Sequence, residues 1–280
     1  MVASASEFRT DLYKGTAPDY DQYRPAYPTA LFDDLRARAS VVEGGSMLDL
    51  ACGTGQIAFP LAEHFAEVWA VDQEPETVAY GRAKAQRLGV ANITWVTGSA
   101  DTVPLDGPFD LIAIGNAFHR LNRSAVAERM LSWLKPGGSL AVMWGDVPWR
   151  GDEPWQRAME AVVLDWTTKA EATDRVPAGW EAAMASDSHE QVLRRAGFDY
   201  LGMFGWMQER TWTVETLIGF VYSTSILNRH VLGDRSAQFE LEFAERVLPF
   251  AAKGKFDESA SYAYELARSS GLESMKGNAQ

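Results

Sequence analysis

Between Ser46 and Trp144 five short apolar runs alternate with stretches of helical periodicity, and this alternation restricts the fold more than any other feature of the chain. The runs are SMLDLA (46–51), EVWAVD (67–72), ITWVTG (93–98), FDLIAIG (109–115) and SLAVMW (139–144). QIAFPLAEHF (56–65), PETVAYGRAKAQRLG (75–89, with Gly89 as a stop) and RSAVAERMLSWL (123–134, closed by KPGG) separate them as predicted helices. Short strands joined by crossover helices pair in parallel, and the fourth run is apolar enough for the middle of a covered sheet. Beyond Trp144 the rhythm loosens. Helical patterns are predicted over 152–170, 188–198, 214–227 and 235–251, and extended ones over 200–212 and 259–269. Seven of the ten tryptophans fall between 144 and 212, which suits either an acceptor pocket or the core of a helical subdomain.

A chain of 280 residues holds one large α/β domain with an appended subdomain, and 46% hydrophobic with 23% charged residues excludes a disordered chain. The N-terminus MVASASEFRTDLYKG has no apolar core of a signal peptide, and the longest apolar run, LIGFVYSTSIL from Leu217, falls short of the roughly 18 residues of a membrane span. A cytoplasmic protein is expected. Net charge is −12 and no Lys/Arg run occurs, which disfavours nucleic acid; the acidic balance serves solubility or attraction of a cation. The single cysteine, Cys52, cannot form an intrachain disulfide and reads as a small residue in a tight turn. His64, His119, His189 and His230 stand in no metal-binding spacing, so no metal site is predicted.

The turn after the first strand, Gly53-Thr54-Gly55-Gln56-Ile57-Ala58, fits the G-x-G-x-x-A pattern of dinucleotide sites. Asp72 closes the next strand, where an acid holds ribose hydroxyls. Asp49, just before the turn, separates the candidates: its carboxylate would repel a pyrophosphate and attract an ammonium group.

LDLACGTGQIA resembles the first motif of class I S-adenosylmethionine-dependent methyltransferases, and further likenesses follow in order. VWAVDQEP resembles the second motif, GSADTVPL the adenine-binding stretch, FDLIAIGNAFHRL the fourth strand with its turn, and WLKPGGSLAV the turn before the fifth strand. Upstream, TAPDYDQYRPAYP resembles the N-terminal lid of the small-molecule branch related to trans-aconitate methyltransferases. The likeness covers residues 13 to 145 and, more loosely, the strands near 200 and 260. It implies a Rossmann-like sheet of seven mostly parallel strands, with helices on both faces and an antiparallel strand at its edge. Expected parts are lid helices over 1–40, a cofactor-binding core over 41–145, and over 146–280 the rest of the sheet with an inserted helical substrate cap.

The resemblance also implies roles. S-adenosyl-L-methionine is the expected cofactor, approached by the backbone at Gly53 and Gly55, with Asp49 on its ammonium and Asp72 on its ribose. Gln73 packs on the adenine or is an exposed loop residue, and Asp101 with the backbone of Ala100 selects the adenine amine. Asn116 reaches the methionine moiety, and Arg24 meets its carboxylate or fixes the lid. His119 is a general base or a pocket wall, with Phe118 shaping the wall toward the acceptor. Tyr13 and Tyr20 close over the site and orient an acceptor, or only pack the lid. Arg120 stands where the trans-aconitate branch often has tryptophan and would suit a carboxylate acceptor. The reading is transfer of a methyl group to N or O of a small molecule, a natural-product intermediate among the candidates. The alternatives are a cofactor-binding or regulatory module without transfer, and an NAD-dependent oxidoreductase, against which stand Asp49 and the lack of a Tyr-x-x-x-Lys pair.

Overall fold

The computed structural model describes residues 11–175 and 180–270. Its seven strands are β1 (Gly45–Leu50), β2 (Phe65–Asp72), β3 (Ile93–Thr97), β4 (Phe109–Gly115), β5 (Leu134–Gly145), β6 (Phe198–Trp212) and β7 (Phe256–Ser269), ordered β3-β2-β1-β4-β5-β7-β6. Strands β1 to β5 pair in parallel, and β7 runs antiparallel to both its neighbours. The antiparallel strand is therefore one place in from the edge. Burial explains the order: β7 hides most of its side chains on both faces, whereas β6 alternates half-buried and exposed residues and tolerates the rim.

Alternation along the central strands feeds two cores. Met47, Val68, Leu111 and Ala141 face one side with the helices Thr29–Arg38 and Pro75–Leu88. Leu48, Val71, Ile112 and Leu140 face the other with Arg123–Trp133 and His189–Ala196. The last of these helices begins at a capping box of Ser188 with Gln191 and stops at Gly197, the signals visible in its sequence.

Several boundaries differ from expectation, and the helix predicted over 214–227 ends at Tyr222. The helix predicted over 56–65 is a short α-helix, Ala58–Leu61, and a 3-10 turn, Ala62–His64, because buried Phe65 already opens β2. Strand β5 starts at Leu134, with a register shift against β4 that absorbs the Lys-Pro-Gly-Gly segment. The expected lid over 1–40 divides. Helix Ala17–Tyr23 lies over the sheet's C-terminal ends, but Thr29–Arg38 buries Leu31 and Leu35 completely and belongs to the helical layer. Residues 1–10 lie outside the described residues.

Two insertions, between β5 and β6 and between β6 and β7, build a third core. Trp155, Trp166 and Trp212 are buried there, as the subdomain reading expects. Trp149, edge-on to Phe220 at 5.5 Å, faces the cavity described below. The side chain of Trp180 lies outside the described residues. Helix Ala17–Tyr23 is bound to this cap through helix Val214–Tyr222, where Gly219 leaves the room that the Tyr23 ring fills. No described helix is long and apolar enough to cross a membrane.

Candidate active site

Strands β1 and β4 are neighbours at the point where the strand order reverses, so the loops that leave them diverge and open a crevice. Both loops begin with a non-glycine residue in the left-handed region, Ala51 (φ 56°) and Asn116 (φ 52°), and both residues line the crevice. Such conformations cost on the order of 1–3 kcal/mol each and persist where the surroundings enforce them. Asn116 is enforced from three sides. Its N–H donates to the Met143 carbonyl (2.8 Å), its Nδ2 donates to Tyr27 Oη (3.0 Å), and its Oδ1 accepts from the Gly145 N–H (3.3 Å).

Two carboxylates hold the glycine turn. Asp72 Oδ2 accepts the Gly53 N–H (2.9 Å) and its Oδ1 accepts that of Glu74 (2.9 Å). Asp49 Oδ2 accepts the Ala58 N–H (2.9 Å). Gly53, at φ 55°, keeps its open side toward the cavity, where an added Cβ would meet only the Tyr20 ring at 3.7 Å. Gly55, at φ 90°, is needed for an inward reason: an added Cβ would strike Trp95 (2.8 Å) and Phe59 (2.9 Å).

Nine of the expected residues line the cavity: Tyr13, Tyr20, Arg24, Gly53, Asp72, Gln73, Ala100, Asn116 and His119. Four do not, and each has a physical reason. Phe118 is 1% exposed and packs edge-on against His189 (5.1 Å) within the core, so it shapes no acceptor wall. Gly55 serves the packing just described. Asp101 is exposed, its carboxylate 3.5 Å from Ser99 Oγ, while the adjoining Gly98 and Ala100 face inward. Asp49 lies beneath the turn, 1% exposed, and its Oδ1 has no partner among the described residues.

Burial sets the electrostatics. It drives the Asp49 carboxyl up to about 8, against the Ala58 N–H that draws it down. Burial also raises Asp72. His119 is held at about 4 by burial and by the positive charge of Arg120, with His189, Arg123 and Arg150 adding to it. Glu74, which the sequence reading passed over, lines the cavity and is pushed up to about 7 by burial and by Asp72. Its signal was present: an acid two residues beyond Asp72 and directly before Pro75. Ser225, 1% exposed with an unpartnered Oγ, and Trp149 were also missed, since only packing of the cap brings them to the wall.

The lid is fastened on two sides. Toward the sheet, Asp21 accepts from Lys84 Nζ (2.5 Å) and Tyr80 Oη (3.1 Å), and Gln56 Nε2 donates to the Arg24 carbonyl (3.2 Å). Toward the cap, Arg24 Nε donates to Ser223 Oγ (2.8 Å) and Arg229 to Asp19 (3.2 Å). The Arg24 guanidinium lies between the rings of Tyr20 (4.9 Å) and Phe220 (4.5 Å), and no carboxylate pairs with it among the described residues.

Residues 47–138, which include β1, the glycine turn and Asp72, match the family model described as the methyltransferase domain. Over those residues the chain is similar to a methyltransferase domain. An uncharacterized methyltransferase of Schizosaccharomyces pombe is 32% identical over 148 residues, 51% of this chain and 55% of that protein. A demethylmenaquinone methyltransferase of Lactococcus lactis is 26% identical over 205 residues, 67% of this chain and 81% of that protein. The chain spans about half the length of the first curated relatives it matches. The crystal structure of the YcgJ protein of Bacillus subtilis superimposes with a TM-score of 0.53 at 16% identity, over 87% of this chain and 99% of that one, a likeness of fold. The crevice at the β1–β4 switch point opens at strand ends within the matched residues and is flanked by segments outside them.

The donor set suits S-adenosylmethionine. Gly53 leaves the backbone open to a ligand, Asp72 faces the cavity with both oxygens oriented by N–H groups, and Asp49 Oδ1 is a buried acceptor without a partner. One consequence concerns Asp49. Burial disfavours its charged form, and a neighbouring ammonium would restore it. Because the native pKa is above the ordinary 3.8, this group's contribution to stability is fullest below about pH 4 and is lost as pH rises toward 8. Asp49→Asn, which copies the neutral acid and does not titrate, is expected to gain melting temperature relative to the wild type as pH rises from 4 to 7 and to weaken S-adenosylhomocysteine roughly tenfold or more. Calorimetry in buffers of different ionisation enthalpy should show proton release on binding in the wild type and none in the variant.

Proposed function

We propose that this chain is an S-adenosylmethionine-dependent methyltransferase that methylates N or O of a small molecule. The observation that carries the reading is the pair of strand-end carboxylates, Asp49 and Asp72, each bound to an N–H of the glycine-turn segment within the residues similar to a methyltransferase domain. Asp49, a buried acceptor beneath the turn, suits an ammonium and not a pyrophosphate, which counts against a dinucleotide. Bound S-adenosylmethionine supplies an electrophilic methyl group on a sulfonium.

The chain's own residues bind, align and exclude water. Asp72 takes the ribose hydroxyls, Asp49 the ammonium, and Arg24 the carboxylate of the methionine end. Gln73, Gly98 and Ala100 border the adenine. Tyr20 and Tyr13 cover the site from the lid. Displacement is in line, so most of the acceleration comes from fixing nucleophile, methyl carbon and sulfur on one axis in a closed cavity. His119 accepts the proton that an amine or hydroxyl acceptor loses. A lid tied to both sheet and cap favours an acceptor small enough to be enclosed, and a natural-product intermediate is of that kind. The demethylmenaquinone methyltransferases among the relatives are consistent with a small molecule.

The test is transfer of a 13C-labelled methyl group from S-adenosylmethionine to a panel of amines, phenols, sugar hydroxyls and carboxylates, with products read by NMR. A labelled N- or O-methyl product is expected. Tight cofactor binding without transfer across the panel would favour a binding module instead.

A further inference from the structure

The cavity wall carries both signs of charge: Asp72 and Glu74 line it, as do Arg24 and Arg120, with Leu121, Val147, Trp149 and Ile226 among its apolar residues. Tyr13 links Glu74 to Arg120, giving its backbone N–H to the first and holding its ring 5.8 Å from the guanidinium of the second. Arg24 is engaged by Ser223 and two aromatic faces, whereas Arg120 has that ring contact and a repulsive neighbour in His119, and no carboxylate pairs with it among the described residues. A half-buried guanidinium without a counter-charge is costly, and its planar fork matches a carboxylate.

We propose that the acceptor is a carboxylate-bearing molecule with an apolar or aromatic body, anchored through its carboxylate by Arg120 and packed on Trp149, and that the methylated atom is a different group, a hydroxyl or amine. The proposal rests on the methyltransferase reading and adds the acceptor class to it. A carboxylate clamped by Arg120 has its lone pairs engaged and carries no proton to remove, so it serves as a handle and not as the nucleophile. The neighbouring residue, His119, supplies the base that a protonated nucleophile needs. In the reaction the acceptor's lone pair forms the bond to the methyl carbon, the carbon–sulfur electron pair stays on sulfur, and the acceptor proton ends on His119.

The anchor also tunes the base. Burial, Arg120, His189, Arg123 and Arg150 together hold His119 at about 4, and of the arginines Arg123 is already offset by Asp187 (3.9 Å). An anion on Arg120 cancels the largest of the charge effects, so His119 gains basicity as the acceptor arrives.

The experiment is calorimetric titration of the full chain, saturated with S-adenosylhomocysteine, with matched acids and amides: 4-hydroxybenzoate and 4-hydroxybenzamide, 3-(4-hydroxyphenyl)propanoate and its amide, octanoate and octanamide. At least one acid is expected to bind about 30-fold more tightly than its amide, the range of a charge-assisted pair. In Arg120→Gln that preference should fall to about unity while affinity for S-adenosylhomocysteine stays unchanged. The NMR titration of the His119 ring should move to higher pH with the bound acid, and equally in unliganded Arg120→Gln. Equal binding of acids and amides, binding of neither, or a preference that survives in Arg120→Gln overturns the anchor. A His119 titration that stays in place overturns the coupling. Failure of the wild type to bind S-adenosylhomocysteine would instead remove the methyltransferase reading itself.

Discussion

Asp72→Asn is expected to weaken S-adenosylhomocysteine binding by about 100-fold, the largest loss of affinity from one isosteric change in this chain. The native carboxylate receives an N–H on each oxygen, from Gly53 and Glu74, and turns its remaining lone pairs to the cavity. Hydrogen bonds to a charged acceptor contribute roughly 1.5–3 kcal/mol each, and an unpaired buried donor costs about 1–3 kcal/mol. An asparagine keeps one acceptor oxygen and sets an NH2 against the other N–H, so either Gly53 or Glu74 loses its partner and the turn tilts. Isothermal titration calorimetry reads the affinity, and far-UV circular dichroism checks the fold. Burial raises the pKa of Asp72, so its contribution to stability is fullest at low pH and is lost as pH rises through the native value. Melting at pH 7 should fall by only a few degrees, the effect of one unpaired N–H, while affinity collapses, and a large loss of stability without a selective loss of affinity would assign Asp72 to structure alone.

His119→Gln is expected to lower the transfer rate by about 100- to 10,000-fold, the span of a general base, with the Kd for S-adenosylhomocysteine within about twofold of the wild type. His119 sits on the 3-10 turn after β4, on the proposed acceptor side, whereas the groups assigned to the cofactor belong to β1, β2, the segment after β3 and the lid. The pH profile carries a second signature. The free imidazole titrates at about 4, so the acid limb of kcat/KM belongs near pH 4 and not near the ordinary 6.5. The sign for stability follows from the same shift. Below pH 6.5 the unfolded chain takes up a proton that the native imidazole refuses until about pH 4, so this group costs stability as pH falls through that interval. His119→Gln should therefore be relatively more stable than wild type at pH 5 than at pH 7, measured by urea denaturation. A variant that loses cofactor affinity in step with rate would make His119 a wall residue.

The sequence determined what depends on local chemistry and on strand ends. Apolar runs separated by amphipathic helices specify parallel pairing, and β4 occupies the residues its pattern predicts. Asp49, Gly53 and Asp72 are legible because each must stand at a fixed offset from a strand terminus, an offset that the chain itself counts. Capping signals at Ser188, Gly89 and Gly197 are local for the same reason. Tertiary structure alone decided the direction in which ambiguous side chains face. Phe118 and His119 are adjacent, yet one enters the core and the other the cavity. Gly55 and Gly53 look alike as motif letters, but Trp95 and Phe59 claim the space beside the first. The tryptophans divided between core and cavity only when two distant insertions folded against each other. The place of β7, one strand in from the edge, followed from competition between β6 and β7 for burial. Periodicity records which residues avoid water; which of them meet one another depends on contacts between segments far apart in the chain, and no local pattern encodes those.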